Sequence, residues 1–104
     1  MKYKLIFSPQ FENDLDKAFE YISNNLSSPS AAKNLMYEID KSISFAAENP
    51  YIYPLCPEKL SNLGLRKIVV KNYIVIYFVN EDNKSVNFLN LFYGRRNYIE
   101  FFQY

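Results

Sequence analysis

At 104 residues, 49% hydrophobic and 18% aromatic with ten Tyr, nine Phe and no Trp, the chain has the apolar mass for one modest core and too much of it for a disordered polymer. Histidine is absent and Cys56 is the single cysteine, which excludes an internal disulfide, a zinc ligand set and an imidazole for proton transfer near neutral pH, so no metal or cofactor is expected. The net charge of +1 is unevenly spread: residues 1–56 carry five lysines against seven acids, net −2, and residues 57–104 carry seven cations against four acids, net +3, a weak bias for a nucleic-acid binder.

The first seven residues, MKYKLIF, alternate Tyr3, Leu5 and Phe7 against Lys2 and Lys4, the pattern of a strand with one wet face. Ser8-Pro9 then reads as an N-cap followed by a first-turn proline. Beyond it Phe11, Leu15, Ala18, Phe19, Ile22 and Leu26 recur at steps of three and four and form one apolar helical stripe. The acids Glu12, Asp14, Asp16 and Glu20 have helical spacing and no convergent partner, and read as its wet face. Ser28-Pro29 repeats the start signal, and a second stripe runs through Ala32, Leu35, Met36, Ile39, Ile43 and Ala46 until Asn49-Pro50 stops it. Two helices joined so closely form an antiparallel hairpin. Pro50, Pro54 and Pro57 then forbid regular structure, giving an ordered, irregular loop held by its own Tyr, Ile and Leu side chains.

After Gly64 the chain becomes β-branched and aromatic. LRKIVV and YIVIYFV flank Lys71-Asn72, a two-residue hairpin turn in which Asn tolerates positive φ, and NEDNKS turns the chain again before VNFLNLFY. The result is a three-strand antiparallel meander, and the fold class is α+β: an N-terminal strand and a helical hairpin packed on that meander. With Val70 opposite Tyr73, one sheet face carries Ile68, Val70, Tyr73, Val75 and Tyr77, and the other Lys67, Val69, Ile74, Ile76 and Phe78. The hairpin covers one face; the other needs the tail, a symmetry mate or another protein. The tail NYIEFFQY is expected to make one helical turn that docks its aromatics. No segment approaches the roughly 18 apolar residues of a membrane span and no leader is evident, so a single domain over residues 1–104, cytoplasmic and without a membrane partner, is expected.

This order of elements, and above all the stretch LRKIVVKNYIVIYFVNEDNKSVNFLNLFYGRRNY, resembles the RelE/ParE superfamily of toxins from bacterial type II toxin–antitoxin modules. The likeness lies in a basic residue on the first meander strand, a tight turn, Y-x-[VIL]-x-Y on the next strand and a glycine with arginines after the last. It implies a growth-arresting toxin neutralised by a cognate antitoxin, the toxin alone as a possible homodimer or both as a heterotetramer, with mRNA on the ribosome or DNA gyrase as the target. A member that only binds its antitoxin is the alternative. By position Lys67 corresponds to a family lysine, Arg96 to the arginine after the last strand and Tyr98 to the C-terminal tyrosine, a catalytic set if the chain cleaves RNA. Arg66, Lys71 and Arg95 are the supporting target-binding residues. Ile74 stands where the family's sheet arginine is usual and Val69 where its second lysine is, so the set is short of cations for gripping ribosomal RNA.

Overall fold

The computed structural model describes residues 2–57, 59–94 and 98–102, with the backbone alone at 99 and 100. Its elements are β1 (Lys4–Phe7), α1 (Pro9–Glu20), a π-helical turn (Tyr21–Asn25), α2 (Pro29–Glu48), a one-turn α3 (Lys59–Asn62), β2 (Arg66–Val70), β3 (Tyr73–Asn80), β4 (Ser85–Tyr93) and a one-turn α4 (Tyr98–Phe101). The four strands form one mixed sheet in the order β1-β4-β3-β2, antiparallel through the meander and parallel between β1 and β4. No described helix is long and apolar enough to cross a membrane.

Ser8 starts α1 as its sequence position predicts: with φ −71 and ψ 154 its Oγ accepts the Phe11 N–H at 2.9 Å. Ser28 does not cap α2 with its side chain. Its φ of −134 and ψ of 76 leave the extended range that aims Oγ at the helix, and only its carbonyl joins, accepting from Ala32 N–H at 3.1 Å. The first helical stripe is also shorter than expected. Phe11 and Ala18 are buried, but Phe19 and Leu26 remain 36% and 56% exposed, and after Glu20 the helix widens into i→i+5 bonding, with Leu26 N–H donating to Tyr21 C=O at 3.2 Å. The α2 stripe holds: Ala32, Leu35, Ile39, Ile43 and Ala46 are buried, with Met36 half-buried.

The β2–β3 register is the expected one, Val70 opposite Tyr73, Val69 opposite Ile74 and Lys67 opposite Ile76. The positive φ of the turn falls on Lys71, at 53°, and not on Asn72. Between β3 and β4 the pairing slips, Ile76 opposite Asn90 but Tyr77 opposite Phe88, so Leu89 is an extra residue. This bulge turns Phe88 and Leu91 to the same face, where both join the main core with Phe11, Leu35, Ile39, Ile68, Val75 and Tyr77. Full burial of a side chain such as Phe11 or Leu35 contributes about 1.5–3 kcal/mol.

The opposite face has a second, smaller core. Ile74 and Ile76 are buried there by Cys56 and Leu60 of the proline-rich segment, by Leu65 just before β2 and by Tyr98, with Phe92 and Phe102 packed alongside. The tail therefore docks as expected, but the loop shares the work, and the chain covers more of this face by itself than its greasy pattern implied. Val69, 65% exposed, is what remains open on β2.

That loop is clamped at three points. The buried Tyr77 hydroxyl donates to Pro50 C=O at 2.7 Å. Arg66 donates to Tyr51 C=O at 3.3 Å and Tyr53 C=O at 2.7 Å, and its guanidinium lies 5.1 Å from the centre of the Tyr51 ring. Glu81, in the β3–β4 turn, accepts from the hydroxyls of Tyr51 and Tyr3 and from Lys84 Nζ at 2.6 Å. These donors, Lys84 first, hold the Glu81 carboxyl down at about 2. The Tyr51 phenol is pushed up to about 12, chiefly by its bond to Glu81.

Candidate functional site

Three of the sequence-predicted residues meet in one place. Lys67 on β2, Lys71 in the turn and Tyr98 at the start of α4 line an open groove of about 460 Å³ together with Val69, Asn72, Tyr73, Ile74 and Gly94. Strand alternation places Lys67 on the far face, at the end of a row that continues through Ile76 to Asn90. The left-handed backbone at Lys71 closes the two-residue turn beside it. Gly94, at φ +70, ends β4 where a side chain would strain the backbone, and its N–H donates to Asn72 C=O, fastening the end of β4 to the turn. The chain then returns with Tyr98, which is 8% exposed and packs on Phe92 with ring centres 6.3 Å apart. Arg95 and Arg96 fall outside the described residues.

Arg66 does not join them. It alternates to the helix side of the sheet, opposite Tyr77, and its guanidinium is engaged with the Tyr51 and Tyr53 carbonyls. The groove thus offers two ammonium groups and one largely buried phenol on an apolar floor, and no carboxylate among its described lining. Cys56 lies beneath this face without nucleophilic character: burial pushes its thiol up to about 11, against a smaller downward pull from Lys67.

A second groove lies between the helices and the sheet, and the sequence reading missed it. Asp14, Lys17, Ala18 and Tyr21 of the first helical arm face Tyr73 and Leu91–Tyr93 across about 500 Å³. An adjoining space of about 430 Å³ extends it to Leu26, Lys71 and Asn72. It exists because β1 ends at Phe7 opposite Phe88, leaving the last residues of β4 without a neighbouring strand on that side. Side chains of the preceding segment satisfy part of the open edge: Ser8 Oγ donates to Leu89 C=O at 2.7 Å, and Asp14 Oδ2 accepts the Leu91 N–H at 2.9 Å. Asp14 is therefore a half-buried cap on a strand edge and not part of a wet face. Nothing in the local spacing of acids distinguishes it, since its partner is 77 residues away. Tyr73 and Tyr93 meet edge-on at 5.3 Å on the floor, and burial first, then Tyr93 and Tyr21, raises the Tyr73 phenol above its usual range.

A short strand, a helical hairpin and a bulged meander with grooves on both sides define a small α+β domain. Residues 5–98 match the family of the ParE toxin of the type II toxin–antitoxin system parDE, and the chain belongs to that family. It is a toxin of the ParE/RelE kind. Its fold is similar to that of the chromosomal ParDE system from P. aeruginosa, with a TM-score of 0.72 at 14% identity over 90% of this chain and 98% of that one. It is also similar to the isolated E. coli RelE toxin, with a TM-score of 0.58 at 17% identity over 94% and 90%. The archaeal RelE–RelB complex from Pyrococcus horikoshii gives a TM-score of 0.55 at 20% identity over 92% and 99%. Among curated protein sequences, none matches this chain.

Proposed function

We propose that this toxin arrests growth by docking its basic groove onto a protein target, DNA gyrase, and does not itself cleave RNA. One observation carries this reading: Lys67, Lys71 and Tyr98 converge on a groove floored by the apolar Val69 and Ile74. Cleavage through a 2′-hydroxyl would have to use Lys67 or Tyr98 for proton transfer, with the rim cations holding the phosphate. An apolar floor rimmed by two lysines, with Val69 exposed beside them, suits a protein surface better. Arg95 and Arg96, joined in sequence to Gly94 and three residues or fewer from Tyr98, are proposed to add their charge to the same rim. A cognate antitoxin neutralises the toxin in the cytoplasm by laying an apolar segment along the helix–sheet groove floored by Tyr73 and Tyr93.

The test is controlled expression without the antitoxin, with growth, gyrase supercoiling and transcript integrity followed together. The expected result is arrest with supercoiling blocked and transcripts intact, relieved by Lys67→Ala combined with Lys71→Ala. Transcript cleavage in a translating extract with supercoiling untouched would assign the groove to RNA instead. Undisturbed growth would leave a member that only binds its antitoxin.

A further inference from the structure

At the seam of α1 and α2 lies a trough of about 320 Å³ that the function above does not use, floored by Leu15, Phe19 and Met36 and edged by Asp16 and Glu20. Glu12, Asp16 and Glu20 stand at steps of four, so their carboxylates follow one line for about 12 Å. Among the described residues none of the three has a cation within 4 Å; the ion pairs present are Glu38–Lys41 and Glu81–Lys84. Like charges at this spacing repel one another. The free domain thus carries an uncompensated acidic row beside exposed apolar surface, including Phe19 at 36%.

The charge is segregated at larger scale as well. Residues 9–48 hold three lysines against seven acids, net −4, and the rest of the chain nine cations against four acids, net +5. That sign repels nucleic acid and anionic lipid from the hairpin and attracts a basic polypeptide. We propose that the trough between α1 and α2 is a second docking surface, whose occupant is an amphipathic helix of a partner protein that sets apolar side chains on Leu15, Phe19 and Met36 and Lys or Arg against Glu12, Asp16 and Glu20. A partner for this surface is opposite in charge to what the Lys67–Lys71 groove attracts, so the two sites serve different molecules.

The probe is a fluorescently labelled Leu–Lys peptide of about 18 residues, five helical turns, compared with a Leu–Glu peptide of the same pattern. Anisotropy titration of the intact protein is expected to saturate with the Leu–Lys peptide alone. Affinity should fall about tenfold or more, roughly 1.4 kcal/mol, in Asp16→Lys combined with Glu20→Lys, and separately in Phe19→Ser. It should also fall when salt rises from about 0.1 M to about 1 M, which shortens the screening length from about 10 Å to about 3 Å. The same reversal at Asp40 and Glu48, elsewhere on the hairpin, should leave it unchanged. Circular dichroism of each surface variant is expected to match that of the parent. Equal binding of the Leu–Glu peptide, or an equal loss from the Asp40 and Glu48 reversals, would overturn the proposal. So would concentration-dependent self-association of the protein alone that the Phe19 and Glu20 variants abolish, which would assign the trough to a second copy.

Discussion

Tyr77→Phe deletes a single buried oxygen and tests what holds the proline-rich segment to the sheet. Tyr77 is 0% exposed, its ring lies against Phe88 at 5.6 Å and edge-on to Tyr53 at 6.3 Å, and its hydroxyl gives the buried Pro50 carbonyl its hydrogen bond at 2.7 Å. Phenylalanine keeps the ring packing and leaves that carbonyl without its donor. The expected cost is about 1–3 kcal/mol, the desolvation penalty of an unpaired buried acceptor. For a domain of this size each 1 kcal/mol lowers Tm by roughly 4–8 °C, so thermal unfolding followed by circular dichroism should show a drop between about 4 and 24 °C. Limited proteolysis should cut first within residues 51–57, which this bond tethers. An unfolding free energy unchanged to within about 0.3 kcal/mol would refute the reasoning, since it would mean that water or a shifted backbone replaces the donor freely.

Other outcomes follow from the same contacts. Ser8→Ala should cost about 0.5–2 kcal/mol in urea unfolding because it removes the Phe11 cap and the bond to Leu89, whereas Ser28→Ala, with no side-chain cap to lose, should change stability far less. Glu81 is held at about 2 against an ordinary 4.5, so its contribution is complete above about pH 4.5 and is lost as pH falls toward 2; the stability difference between the parent and Glu81→Gln should shrink over that window. Tyr51, raised from 10.0 to about 12, works in the other direction: its contribution is complete below pH 10 and disappears as pH rises through 12, which unfolding midpoints in alkaline buffer should register in the parent and not in Tyr51→Phe. The Cys56 thiol, 1% exposed and pushed up to about 11, should resist a thiol reagent in native buffer and react at the rate of unfolding; rapid labelling of the folded protein would contradict its burial.

Local chemistry made much of this molecule legible. The two-residue spacing at Lys71-Asn72 specified the β2–β3 register, and with it the sorting of Ile68, Val70, Tyr73, Val75 and Tyr77 onto the helix face. Helix starts at Ser8-Pro9 and Ser28-Pro29 and the stop at Asn49-Pro50 could be read because capping and proline geometry act within a few residues. Lys67 and Tyr98 were singled out through a family resemblance and Lys71 as a supporting cation; their convergence joins a strand, a turn and a tail.

What stayed hidden depends on groups far apart in the chain. The parallel pairing of β1 with β4, the bulge at Leu89, the Asp14 bond to Leu91 and the diversion of Arg66 onto the Tyr51 and Tyr53 carbonyls each pair segments whose meeting no local pattern encodes. Periodicity reports which side of an element is apolar, because side-chain direction repeats with the backbone. It carries no information on which other element will cover that side, and so could not foresee that the proline-rich segment shares the far face with the tail, or that Phe19 and Leu26 would stay uncovered. Those outcomes are set by volume and by the need of each buried polar group for a partner, conditions that apply only once the whole chain has closed on itself.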